Sequence, residues 1–320
     1  MLDCCSRLAF LNALAITTYG AEAFLTAPAA AQTLPASPPG RTRAVLLGTA
    51  GGPALRPGRS SPAAAVVVDD NLYVVDCGYG AARQIVTAKL GLLKTKAIFI
   101  THHHSDHNAD LGNFLVLSWA TGLQHPIDVY GPPRVAKLID LALQYHAYDI
   151  SVRIPDEGRV DPRPLFVPHE FVEPGVIYRD DLITVEALLV RHPPVVPAYA
   201  YKFTTPDRRI VFSGDTTYFE PLADFAGGCD LLVHEVLLTS ALDRLLSLNP
   251  AATRLREHIV AAHTDAEDVG RIAAAAGAKK LALTHLVPSY DPTLTDASWS
   301  EPVRKHYAGE LVVGADLMNV

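Results

Sequence analysis

Residues 101–110 read Thr-His-His-His-Ser-Asp-His-Asn-Ala-Asp, so four histidines and one aspartate fall within residues 102–107. Imidazole and carboxylate are side chains that borderline cations such as zinc take readily. His102 and His104 stand two apart. In an extended segment residues i and i+2 face the same way, so both rings can reach one cation. His103 then points the other way, toward packing or a supporting hydrogen bond. Asp106 and His107 follow at the turn into a helical pattern and can reach a second cation close by. Four ligands on one turn do not complete a site for two cations, so others must come from elsewhere.

The rest of the chain offers three. His192 follows the strand pattern of residues 183–190 and precedes Pro193-Pro194. Asp215 comes after residues 210–212 in Phe-Ser-Gly-Asp-Thr-Thr, and His285 after the strand pattern of 280–284. A residue at a strand end is held rigidly. In layered α/β folds active sites form at the strands' carboxyl ends.

The elements that would position these groups alternate along the chain. Apolar and β-branched runs at 44–47, 64–68, 72–75, 97–101, 127–130, 230–236 and 280–284 read as strands. Residues 176–191 and 199–212 read as hairpins. Residues 81–90, 108–120, 134–147 and 265–276 read as helices, three of them ending at or just before a glycine. Lys96 to His102 and Lys280 to His285 echo each other as a lysine, a strand and Thr-His. The order suggests two β-rich halves meeting at one site, with helices on both outer faces. Residues 148–175, crowded with five prolines and three arginines, are expected to form a long loop acting as a lid or insertion.

Composition narrows the function. A 320-residue chain with 49% hydrophobic residues can build a large core. The formal net charge of -7, with no Lys/Arg run, is a poor electrostatic match for nucleic acid. Residues 1–31 carry an apolar run followed by Ala29-x-Ala31-Gln32, the pattern of a secretory leader, so export to the periplasm is expected. Without a working leader the chain would be cytoplasmic. The proline-rich stretch of 32–43 reads as a linker, and 44–320 as a single domain. The leader's apolar run is too short to span a membrane, and no later one is long enough. Cys77 and Cys229 make no disulfide framework, and no Gly-x-Ser-x-Gly occurs, so nothing marks a side-chain nucleophile.

The cluster His102-x-His104-x-Asp106-His107, followed in order by His192, Asp215 and His285, resembles the motifs of the metallo-β-lactamase superfamily. Leu47-Gly48-Thr49-Ala50-Gly51, Val75-Asp76-Cys77-Gly78, Ser213-Gly214-Asp215-Thr216 and His234-Glu235 carry the same resemblance. It covers nearly all of residues 44–320 and is nearest to the ribonuclease Z and arylsulfatase-like branch. The resemblance implies an α/β fold, a four-layer αββα sandwich with the site at the strand ends between its halves. It implies two divalent cations, zinc foremost with manganese or iron as alternatives. His102, His104 and His192 would hold the first, Asp106, His107 and His285 the second, and Asp215 both. Asp76 would support the metal loop. A hydroxide shared by the cations would attack the substrate, and Glu235 with His263 would donate the proton to the leaving group.

For the substrate, the acidic charge, the leader and the lack of a basic, glycine-rich arm favour an arylsulfatase-like hydrolase of small sulfate or phosphate esters. A ribonuclease Z-like phosphodiesterase is the first alternative. A lactonase is the second, because Tyr218 stands three residues after Asp215 and a phenol there can donate to a developing oxyanion. A catalytically silent metal-binding module is the third. A homodimer is compatible with each. One prediction follows from the alternation alone. His103→Gln should retain bound metal and His104→Gln should lose it, as read by metal analysis of the purified variants.

Overall fold

The computed structural model describes residues 41–320. The expected leader, and the linker up to residue 40, lie outside them. Three strands open the fold: Thr42–Gly48 (β1), Ala63–Val68 (β2) and Asn71–Val75 (β3), paired antiparallel. All six side chains of β2, Ala-Ala-Ala-Val-Val-Val, are buried. Its lack of polar alternation is the mark of a strand covered on both faces. Thr95–Phe99 (β4), Ile127–Gly131 (β5) and Phe166–Glu170 (β6) continue the sheet in parallel.

A second sheet runs Gly175–Arg179 (β7), Thr184–Leu189 (β8), Tyr199–Thr204 (β9) and Arg209–Phe212 (β10), all antiparallel. Leu231–Leu237 (β11), Lys280–Val287 (β12) and Glu310–Val313 (β13) extend it in parallel. Met318–Asn319 (β14) returns to pair with β1. The strand orders, β14-β1-β2-β3-β4-β5-β6 and β13-β12-β11-β10-β9-β8-β7, repeat one plan, an antiparallel block leading into a parallel one.

The helices are Ala81–Thr87 (α1), Ser105–Asn108 (α2), Leu111–Ala120 (α3), Val135–Tyr145 (α4), Ala147–Glu157 (α5), Pro221–Ala226 (α6), Leu242–Ser247 (α7), Leu255–Ala262 (α8), Ala266–Ala275 (α9) and Asp296–Arg304 (α10). Ile85, Phe114, Trp119 and Ile139 from α1, α3 and α4 pack on the outer face of the first sheet. Leu222, Val269, Ile272 and Trp299 from α6, α9 and α10 cover the second. Between the sheets lies an apolar layer drawn from both, including Val66, Tyr73 and Phe99 on one side and Val185, Tyr201 and Phe203 on the other. The result is the expected four-layer αββα sandwich.

Two expectations change. Residues 148–175 are not a loop: they hold most of α5, a 3-10 turn and β6, and end at the start of β7. Arg153 pairs with Asp149 and Glu157 one turn away on either side, which holds the charged stretch helical. The prolines sit mainly at an edge strand and in the connections, where no ladder hydrogen bond is lost. The segment joins the edge strands β6 and β7, and none of its residues lines the site cavity described below. The predicted helix of 108–120 divides, with Asp106 and His107 on the short α2.

Phe99 is fully buried, its ring centroid 5.3 Å from that of Phe203, 5.4 Å from Tyr130 and 5.8 Å from Tyr201. It joins the two sheets three residues before His102. Phe99→Ala should therefore cost about 3–5 kcal/mol of stability, seen as a lowered urea midpoint with an unchanged slope.

Candidate metal centre

The loop after β4 delivers the histidine cluster. Asp76, which follows β3 with a left-handed φ of 58°, turns its carboxylate under that loop. It accepts the Thr101 amide at 2.7 Å, the Thr101 hydroxyl at 2.8 Å and His107 Nδ1–H at 2.7 Å. Because the Thr101 hydroxyl donates to Asp76, its oxygen can accept from His102 Nδ1, 3.1 Å away. His192 Nδ1 likewise donates to the Ala262 carbonyl at 2.9 Å. These bonds assign the tautomers. The Nε2 atoms of His102 and His192 are left with bare lone pairs, and that of His107 is turned toward Asp215. His103 faces away as alternation predicts, its Nε2 3.1 Å from the Pro133 carbonyl.

The other groups come from the second sheet. Gly214 adopts φ 57°, and a Cβ there would stand 2.3 Å from the Tyr199 carbonyl oxygen, so only glycine fits before Asp215. His285 departs from expectation. It lies inside β12, not at its end, as the extra residue of a bulge. Glu235 pairs with Thr284 and Val236 with Leu286, leaving His285 unpaired between them at φ 44°. A bulge re-aims one side chain out of the strand's alternation. Gly51 makes room for the ring, since a Cβ there would meet His285 Nδ1 at 2.8 Å.

The structure brings all seven predicted ligands together. His102 Nε2 and His192 Nε2 each stand 3.0 Å from His104 Nδ1 and 3.8 Å from Asp215 Oδ2. On the other side Asp215 Oδ2 is 3.2 Å from His107 Nε2 and 3.1 Å from His285 Nε2. Asp106 Oδ2 is 3.4 Å from His285 Nε2 and 3.7 Å from His107 Nε2. Two groups of donor atoms therefore share the Asp215 carboxylate: His102, His104, His192 and Asp215, and Asp106, His107 and His285.

This donor set fits divalent cations. His107 Nε2 and both ring nitrogens of His285 are buried and make no directed hydrogen bond, a cost that protein structures rarely bear without a partner. Burial drives the His102 imidazole well below its usual range, with His107 adding to the effect, and lowers His104 to about 4. Burial works against the Asp215 and Asp106 carboxylates. His107 and His285 outweigh it, holding Asp106 at about 2 and Asp215 well below the carboxylate range. His107 is the exception among the rings: burial would lower it, but the Asp215, Asp76 and Asp106 carboxylates push it well above its usual range, so a divalent cation bound here takes the place of its proton.

Glu235 and His263 stand beside this centre, both buried. Glu235 Oε1 accepts the amides of Thr216 at 3.0 Å and Thr264 at 3.2 Å, while Oε2 lies 3.1 Å from His263 Nδ1. Burial alone would depress His263; the Glu235 carboxylate reverses this and lifts it to about 9. His263 also falls within reach of Asp215 and His285. Its Nδ1 contact with the Glu235 carboxylate places it with that residue.

Tyr218 is not brought in. It is 39% exposed, has Glu220, Asp268 and Arg271 as its charged neighbours, and lines no site cavity. Cys77 is fully buried, which pushes its thiol far above the usual range, as suits a core residue. The sequence reading passed over α7 and α8, which wall the cavity above the centre. Leu242, Leu245 and Leu246 carried the i, i+3, i+4 signal. His258 of α8, its ring 5.9 Å from that of His104, was missed with them.

Residues 71–286 match the family described as the beta-lactamase superfamily domain, and the chain belongs to that superfamily. It is 32% identical over 277 residues to the ribonuclease Z of Mycobacterium sp. strain KMS, covering 86% of this chain and 94% of that protein. It is 30% identical over 278 residues to the ribonuclease Z of Mycobacterium marinum, covering 86% of this chain and 96% of that one. Among solved structures, the metallo-beta-lactamase fold protein YhfI from Bacillus subtilis matches with a TM-score of 0.64 and 21% identity, over 87% of this chain and 98% of that one. The short form of human tRNase Z matches with a TM-score of 0.63 and 20% identity, over the same shares. No helix among the described residues is long and apolar enough to cross a membrane.

Since the Asp76 carboxylate holds both Thr101 and the His107 ring, Asp76→Ala should lower metal affinity about 10–100-fold. Chelator competition measures this, with circular dichroism to check that the fold persists.

Proposed function

We propose that the chain is a metal-dependent phosphodiesterase. His102, His104 and His192 would hold one divalent cation, zinc foremost, and Asp106, His107 and His285 the other, with Asp215 available to both. When bound, such a pair supplies Lewis acidity toward the phosphoryl oxygens and activates water as the nucleophile. The chain's own residues do the rest. Asp76 and Thr101 fix the rings' orientation. Glu235, itself held by two backbone amides, keeps His263 protonated. His263 lines the cavity and delivers its proton to the departing alkoxide.

The observation that carries this reading is the buried Glu235–His263 pair beside the two donor groups. A proton donor serves a poor leaving group such as a ribose oxygen. The relatives named ribonuclease Z point the same way, and favour a phosphate diester over the sulfate ester that charge and leader suggest. They also bring nucleic acid back as a partner, which net charge alone had argued against.

A substrate panel tests the proposal. Bis(p-nitrophenyl) phosphate should be turned over faster than p-nitrophenyl sulfate, an acyl-homoserine lactone or a penicillin; a faster sulfate ester would replace this reading with the arylsulfatase one. Glu235→Ala should slow an alkoxide-leaving diester by about 10²–10⁴ and a nitrophenolate-leaving one far less. Equal losses on both would remove His263 as proton donor.

A further inference from the structure

Above the metal centre lies a cavity of about 260 Å³. His104, Asp106, Asp215, His263 and His285 form its floor, so an ester bound at the centre must place one of its substituents inside. The walls are of another kind. Leu245 comes from α7, Leu255 and Ile259 from α8, and Val287 from the end of β12. They belong to one small apolar cluster, separate from the three large cores.

Holding metal ligands does not require aliphatic walls. Leaving such surface facing a cavity costs free energy until something apolar covers it. At this volume the cavity sits just below the usual range of small-molecule sites, which suits one ring and not a length of polymer. Four polar side chains beyond the centre also line it, Ser105, His258, Arg56 and Asn249. Arg56 is positioned by its Nε–H, which donates to Ser289 at 3.2 Å, and by the Tyr290 ring, 5.9 Å from its guanidinium carbon. Asn249 is fixed by its Nδ2–H, which donates to the Leu245 carbonyl at 2.8 Å. Both can address the polar edge of a flat ring.

We propose that this cavity is a specificity subsite for a flat aromatic ring carried on the ester, with Leu255 and Ile259, one turn apart on α8, packing against one face of the ring and Asn249 and Arg56 addressing its edge. The inference rests on the phosphodiesterase reading and extends it to the substrate's shape. Two sources share this chemistry, the base of a nucleotide and a simple aryl group.

Direct binding tests it without relying on turnover. Methylphosphonate, phenylphosphonate and uridine 5′-monophosphate are titrated into metal-loaded full-length protein by calorimetry. Phenylphosphonate should bind about tenfold or more tighter than methylphosphonate, as burial of a ring requires. Leu255→Trp, which fills the cavity, should reduce that ratio to about twofold, while the similarly sized Leu255→Met preserves it. A uridine monophosphate that binds tighter still, and loses that advantage in Asn249→Ala, makes the ring a nucleobase. Tighter phenylphosphonate makes it an aryl group. Equal affinities for the methyl and phenyl probes, or a ratio untouched by Leu255→Trp, overturn the subsite. Bis(p-nitrophenyl) phosphate turnover is followed in the same preparation. Ring discrimination without turnover upholds the subsite and removes the phosphodiesterase reading.

Discussion

The Asp215 carboxylate is the constraint on which the site depends. One oxygen stands within 3.8 Å of four imidazole nitrogens contributed by three separate stretches of chain. Such crowding of basic nitrogens in a buried space is tolerable only around a shared negative charge, and then only if cations complete the set. The sheets serve this arrangement. Asp215 follows β10 and His285 lies on β12, in the second sheet, while the histidine loop leaves β4 in the first. The aromatic layer around Phe99 fixes the distance between those two surfaces, and so fixes whether the two donor groups can share one carboxylate.

Much of this was legible in the chain. Two-residue spacing placed His102 and His104 on one side and His103 on the other. Residue order placed His192, Asp215 and His285 near them. The strand patterns gave β1 to β5 and β8 to β12 closely, because buried β-branched runs admit few other readings. Residues 148–175 misled because proline content was read as loop, whereas α5 is held by charges one helical turn apart. His285 was misplaced at a strand end because a bulge depends on pairing with a neighbouring strand, which a one-dimensional reading does not contain.

Substrate was the least legible layer for a related reason. Net charge is a sum over the whole surface, while recognition depends on a few groups around one opening. The -7 charge therefore argued against nucleic acid without touching the cavity where a substrate's substituent would lie. Tyr218 shows the same limit. Its offset from Asp215 suggested a phenol at the site, but the chain turns its ring outward.

The helices α7 and α8 leave the sandwich after β11 and return before α9, and the excursion is closed at its base. The Leu237 amide donates to the Thr264 carbonyl at 2.9 Å, and Leu238 to Val287 at 2.8 Å. Every residue of the donor groups lies outside the excursion, as does Glu235, whereas His263 stands at its far end, directly after α8, and Ala262 of α8 accepts from His192 Nδ1. The part of this stretch that precedes Ala262 can lengthen, shorten or be replaced while the reacting groups stay where they are. The chain thus separates inheritance of its chemistry from inheritance of its selectivity, and the second can drift between descendants while the first is preserved.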